Sequence, residues 1–84
     1  MYDYYFTFRS ITAAQRGERA LLRCGLHGKL LRSPKFLSIK GCGYALKIRG
    51  RDGIAAASAL AAERVNYGSI YRIGPDGRGE EILL

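Results

Sequence analysis

The sequence predicts a small α+β domain whose elements run β, α, β, β, α, β. Three observations carry that prediction. Tyr4-Tyr5-Phe6-Thr7-Phe8 concentrates aromatic and β-branched residues, and Tyr44-Ala45-Leu46-Lys47-Ile48-Arg49 alternates apolar with polar, both as strands do. Stretches after Ser10 and after Asp52 place apolar residues at helical spacing. Glycine and proline punctuate the joins at Gly25, Pro34, Gly41 to Gly43, Gly50 to Gly53 and Gly74 to Gly79.

Residues 4–8 form the first strand. Ser10 or Thr12 then caps a helix, with Thr12 and Gln15 at capping-box spacing. Ala14, Gly17, Leu21 and Cys24 fall on one helical face, and Gly25 stops the helix. This puts Cys24 on the buried stripe, as a structural residue. Residues 28–32 make a short second strand, and 33–43 a loop. In the strand over 44–49, Tyr44, Leu46 and Ile48 face a core while Lys47 and Arg49 face water. Gly50-Arg51-Asp52-Gly53 turns into a second helix capped by Asp52, with Ile54, Ala57, Ala61 and Val65 as its apolar face. Tyr67 to Ile73 is the last strand. Gly74 to Gly79 is a turn, after which Glu80 to Leu84 either adds an edge strand or stays loose. Residues 1–74 thus make one domain and 75–84 a turn and C-terminal tail. The order points to the ferredoxin-like split βαβ fold, an antiparallel four-stranded sheet with two helices on one face.

The chain has 84 residues, nearly half of them hydrophobic, which suits one small folded domain and excludes disorder. Two cysteines are too few for a disulfide framework. The N-terminus lacks the basic start and apolar run of a signal peptide, and the longest apolar stretch, Ile54 to Ala62, is too short for a membrane span. A reducing cytoplasm is the expected compartment, with no membrane partner. The net charge of +7 is scattered rather than blocked, so it suggests an acidic partner only weakly.

Gly41-Cys42-Gly43 reads either as a presented thiol or as a small buried cysteine at a glycine bulge. The glycines strip cover from the sulfur, and Lys35 and Lys40 nearby favour thiolate, the reactive form. The fold sharpens this. The first and third strands should be antiparallel neighbours, which sets Phe8-Arg9-Ser10 beside the glycine pair and the first helix's free N–H groups close by. A Cys42 thiolate there would gain from Arg9, Ser10, Thr12 and Lys40. Cys42 is therefore the candidate thiol, with Arg9, Ser10, Thr12, Lys35, Lys40, Gly41 and Gly43 as its surroundings.

Several segments resemble the selenium/sulfur (Se/S) carrier protein-like family of small bacterial proteins. They are Tyr5 to Ser10, Pro34-Lys35, Gly41 to Leu46 and Ser69 to Ile73, in the expected order. The chain departs from the family's pattern in carrying Ser38-Ile39-Lys40-Gly41 where relatives have a run of serines. The resemblance implies that Cys42 takes sulfur or selenium from a donor such as a cysteine desulfurase and hands it to an acceptor enzyme. It also implies a cytoplasmic carrier or adaptor, more than an enzyme, with no cofactor.

Other readings rest on less. An RNA-recognition motif shares the element order, but its third-strand signature wants aromatics where Cys42 and Lys47 stand, and Tyr44 shares a face with Leu46 and Ile48. Nucleic acid is accordingly not the expected partner. Cys24, Cys42 and His27 lack metal-ligand spacing, so no metal site is expected, and His27 belongs in a surface turn. A sensor or interaction domain remains, pairing in a homodimer through a sheet face carrying Tyr5, Thr7, Ala45, Lys47 and Arg49.

Overall fold

The computed structural model of the chain describes residues 2–33 and 43–82. The elements are β1 (Asp3–Phe8), α1 (Ile11–Arg23), β2 (Lys29–Arg32), β3 (Tyr44–Arg49), α2 (Gly53–Ala62), β4 (Ile70–Ile73) and β5 (Gly79–Ile82). A 3₁₀ turn over Gly50–Asp52 leads into α2. The strands form one antiparallel sheet in the order β2-β3-β1-β4-β5. The sheet therefore has five strands, not the expected four. A hairpin turn accounts for the fifth. Gly77, at φ +80°, lets the chain reverse, and the Asp76 carboxylate accepts the Arg78 N–H at 3.0 Å. Arg72 of β4 then grips Glu80 of β5, a hydrogen bond that raises the guanidinium's pKa above its ordinary value.

Register explains the core. Tyr4, Phe6 and Phe8 lie opposite Ile48, Leu46 and Tyr44, so the alternation of both strands points the same way. Both helices pack on this face. Phe6, Phe8, Leu21, Leu46, Ile48 and Leu60 are essentially fully buried there, with Ala14, Ala20 and Ala56 between them. Gly17 sets how closely α1 approaches: a Cβ on it would stand 3.0 Å from both Leu46 and Phe8 side chains.

Three sequence expectations change. Cys24 is exposed, not on the buried stripe. The helix ends at Arg23, and Gly25, at φ +74°, turns the chain. The Leu26 N–H then reaches back to the Leu21 carbonyl at 2.9 Å and the Gly25 N–H to Leu22 at 3.0 Å, a Schellman closure. Cys24 is the cap of that turn, off the helical stripe. The buried face of α2 is Gly53, Ala56, Ala59 and Leu60, while Ile54 is 73% exposed and Ala61 is exposed. Tyr4 decides this rotation, because its ring packs where a side chain on Gly53 would stand. Asp52 occupies the cap position of α2 but makes no side-chain capping bond. Finally, β4 begins at Ile70 and not Tyr67. Tyr67 packs edge-on against Phe6, ring centroids 5.1 Å apart, and belongs to the core.

Arg23 at the end of α1 binds Glu63 at the end of α2, its Nε 3.0 Å from both carboxylate oxygens. That hydrogen bond holds the Glu63 carboxyl below its ordinary range. The two helices are thus tied at the ends remote from the start of α1.

Candidate functional site

One end of the sheet is where the described residues among those the sequence singled out, Arg9, Ser10, Thr12 and Gly43, occur. β1 leaves the sheet at Phe8, which lies opposite Tyr44, the first residue of β3. Arg9 and Ser10 follow Phe8 in the chain and Gly43 precedes Tyr44, so the exit from β1 and the entry to β3 lie at the same end of the sheet. The carbonyl of Gly43 accepts the N–H of Ser33 at 3.0 Å, so the residues that flank 34–42 are fastened to each other. Cys42, Lys35, Lys40 and Gly41 lie outside the described residues.

Ser10 is the N-cap of α1, in extended backbone with φ −129° and ψ 154°. Its Oγ accepts the Ala13 N–H at 3.1 Å, and its carbonyl accepts the Ala14 N–H at 3.1 Å. Thr12 sits exposed in the first turn, so Ser10, not Thr12, performs the cap. The first turn of α1 contains no acidic residue, and Arg9, also exposed, makes no ion pair among the described residues. The positive end of the helix and an unspent guanidinium thus favour an anion at this corner.

Asn66, Tyr67 and Gly68, which the sequence reading did not single out, complete it. With Phe8, Arg9 and Ala13 they line a cleft of about 240 Å³. Thr7 holds this segment in place. Its carbonyl accepts the Gly68 N–H at 2.7 Å, and its Oγ1 accepts the Ser69 N–H at 2.9 Å while donating to the Ser69 carbonyl at 3.2 Å. Only a glycine and a serine after a helical turn hinted at this contact. A second missed feature is Ser33, whose Oγ is buried with no hydrogen-bond partner among the described residues.

Cys24 lies at the other end of α1, roughly 20 Å from Ser10 by helical rise, and takes no part in this corner. No cluster of metal-ligating side chains occurs among the described residues. His27 is exposed after α1.

Comparison with known proteins adds one finding. No curated protein and no solved structure matches the chain. Residues 3–72, from the start of β1 into β4, match the family described as putative Se/S carrier protein-like. The matched span includes both ends of the loop and all of the Gly41-Cys42-Gly43 motif. The chain belongs to the putative Se/S carrier protein-like family.

Proposed function

We propose that this protein carries a sulfur or selenium atom on Cys42, as a persulfide or selenopersulfide passed between a donor and an acceptor protein. The observation that supports the reading is the Phe8–Tyr44 pairing, which brings the exit of β1 toward Arg9 and the entry of β3 from Gly43 to one end of the sheet. Gly43 follows Cys42 directly in the chain, one peptide of about 3.8 Å away. The family match supports the same chemistry through its name. We read β1 to β4 with the two helices as a ferredoxin-like core to which β5 is added.

The transfer balances without oxidant or reductant. The Cys42 thiolate attacks the outer sulfur of a donor cysteine persulfide. The donor's S–S bond breaks as a new one forms at Cys42, and the electron pair leaves with the donor thiolate. Attack by an acceptor nucleophile on the outer atom reverses these roles. Arg9 and the α1 terminus supply positive potential, which favours the thiolate before loading and the persulfide anion after it. A cysteine desulfurase is a donor of the right chemical class, and a reducing compartment such as the bacterial cytoplasm keeps such a thiol free.

The alkylation rate of each cysteine against pH, read by peptide mass spectrometry on the folded protein, tests this. Cys24 is an exposed internal reference. Cys42 should label with a midpoint clearly below the free-thiol value of about 8.5. A midpoint at or above that of Cys24 would remove the thiolate and with it the carrier.

A further inference from the structure

The face of the sheet turned away from the helices carries a row of side chains that the carrier reading does not use. Pairing aligns Lys29 of β2 with Lys47 of β3, Lys47 with Tyr5 of β1, Tyr5 with Tyr71 of β4, and Tyr71 with Glu81 of β5. These residues share one face because side chains alternate and Tyr4, their neighbour in β1, packs inward against α2. At one end of the face Thr7 and Ala45 are buried. In the row itself Tyr5, Lys47 and Tyr71 are half-buried, while Lys29 and Glu81 are exposed.

Its charges are arranged asymmetrically. Lys29 and Lys47 stand directly opposite each other, a like-charge pairing that costs stability in a bare sheet. Asp3 offsets part of this, its carboxylate 3.7 Å from the Lys47 ammonium. Arg49 lies opposite Asp3 and, with His27, Lys29 and Lys47, lines a cleft of about 320 Å³. Arg49, Arg51 and His27 line the adjoining cleft of about 330 Å³, whose one acidic side chain is Asp52. Lys29, Arg49 and Arg51 form no ion pair among the described residues. Cations therefore crowd the β2–β3 side, while Glu81 stands at the β5 side.

We propose that this face binds single-stranded nucleic acid, with phosphates along Lys29, Lys47 and Arg49 and bases stacked on Tyr5 and Tyr71. Two aromatic residues on neighbouring strands beside a cationic edge are the combination that single strands need. The backbone tracks the charge and successive bases stack on the rings. A free phosphate would use the cations alone, and a duplex hides its base faces. An RNA-recognition motif would carry this platform on β3, where Tyr44 here faces the helices; β1 and β4 supply the aromatics instead. The proposal is independent of the thiol chemistry.

Fluorescence anisotropy with a labelled oligoribonucleotide of mixed sequence, about ten nucleotides long, tests it on the full chain. The single strand should bind at about 50 mM salt and bind at least about tenfold tighter than the duplex of the same sequence. Tyr5→Ala and Tyr71→Ala should each weaken it by roughly 5- to 100-fold. Lys29→Ala should reduce the slope of log affinity against log salt by about 0.7. Should Tyr5→Ala impair folding, checked by circular dichroism, Lys29→Glu on the exposed edge must still abolish most of the binding. Absence of binding, equal affinity for duplex, or tyrosine variants that bind like wild type would overturn the proposal. Concentration-dependent dimerisation in sedimentation that competes with the RNA and is lost in Tyr71→Ala would assign the face to a second copy and overturn it too.

Discussion

Thr7 is buried on the sheet face away from the helices, where an unpaired hydroxyl would be costly. Ser69 satisfies it in both directions, and the bond holds the 66–69 segment against the candidate corner. Thr7→Val keeps the shape and strands the Ser69 amide. Urea denaturation should show a loss of about 1–3 kcal/mol, and an unchanged stability would mean that the amide finds another partner. Cys24 behaves in the opposite way. Its exposure makes Cys24→Ser a near-neutral change, within about 0.5 kcal/mol by the same measurement. A larger loss would restore Cys24 to the core. The sequence misplaced this residue because Leu21 and Cys24 are three apart, as on a helical stripe, and only the Schellman turn breaks the spacing. The antiparallel pairing of β1 with β3 was legible from the strand order, whereas Asn66 to Gly68 are brought to this end of the sheet through Thr7, a long-range contact with no local signature.

At the level of elements, both helices close in the same way with different residues. After α2, the Val65 N–H bonds the Leu60 carbonyl at 2.9 Å and the Arg64 N–H bonds Ala61 at 3.1 Å. The left-handed position, filled by Gly25 after α1, is here Arg64 at φ 55°. A side chain there costs about 1–2 kcal/mol, so Arg64→Gly should stabilise the fold by about 1 kcal/mol, read as a raised denaturation midpoint. A lowered midpoint would show that the Arg64 side chain contributes more than the backbone strain removes. The strands were legible because β1 is rich in aromatic and β-branched residues and β3 alternates, with Leu46 and Ile48 on the face toward the helices. The rotation of α2 was not. Its apolar residues surround the whole helix, so periodicity offers no preferred face, and the fit of Tyr4 against Gly53 chooses one. β5 was left open in the sequence because Glu80 and Glu81 lack strand character, and a turn around Gly77 supplies what they do not.

Over the whole molecule, the sheet separates two surfaces of different chemistry. One end, where β1 hands over to α1 and Gly43 enters β3, is the corner assigned to the carrier thiol. The face turned away from the helices, with its lysine and tyrosine row, is assigned to nucleic acid. The central claim concerns Cys42, and sulfur loading tests it most directly. Wild-type protein, Cys24→Ser and Cys42→Ser would be exposed to a cysteine desulfurase with cysteine, then mapped by peptide mass spectrometry without reductant. The account predicts the mass of one added sulfur atom on the Cys42 peptide of wild type and Cys24→Ser. It predicts none on Cys42→Ser, which should stay folded. Sulfur on the Cys24 peptide instead, or equal loading of Cys42→Ser and wild type, would contradict it.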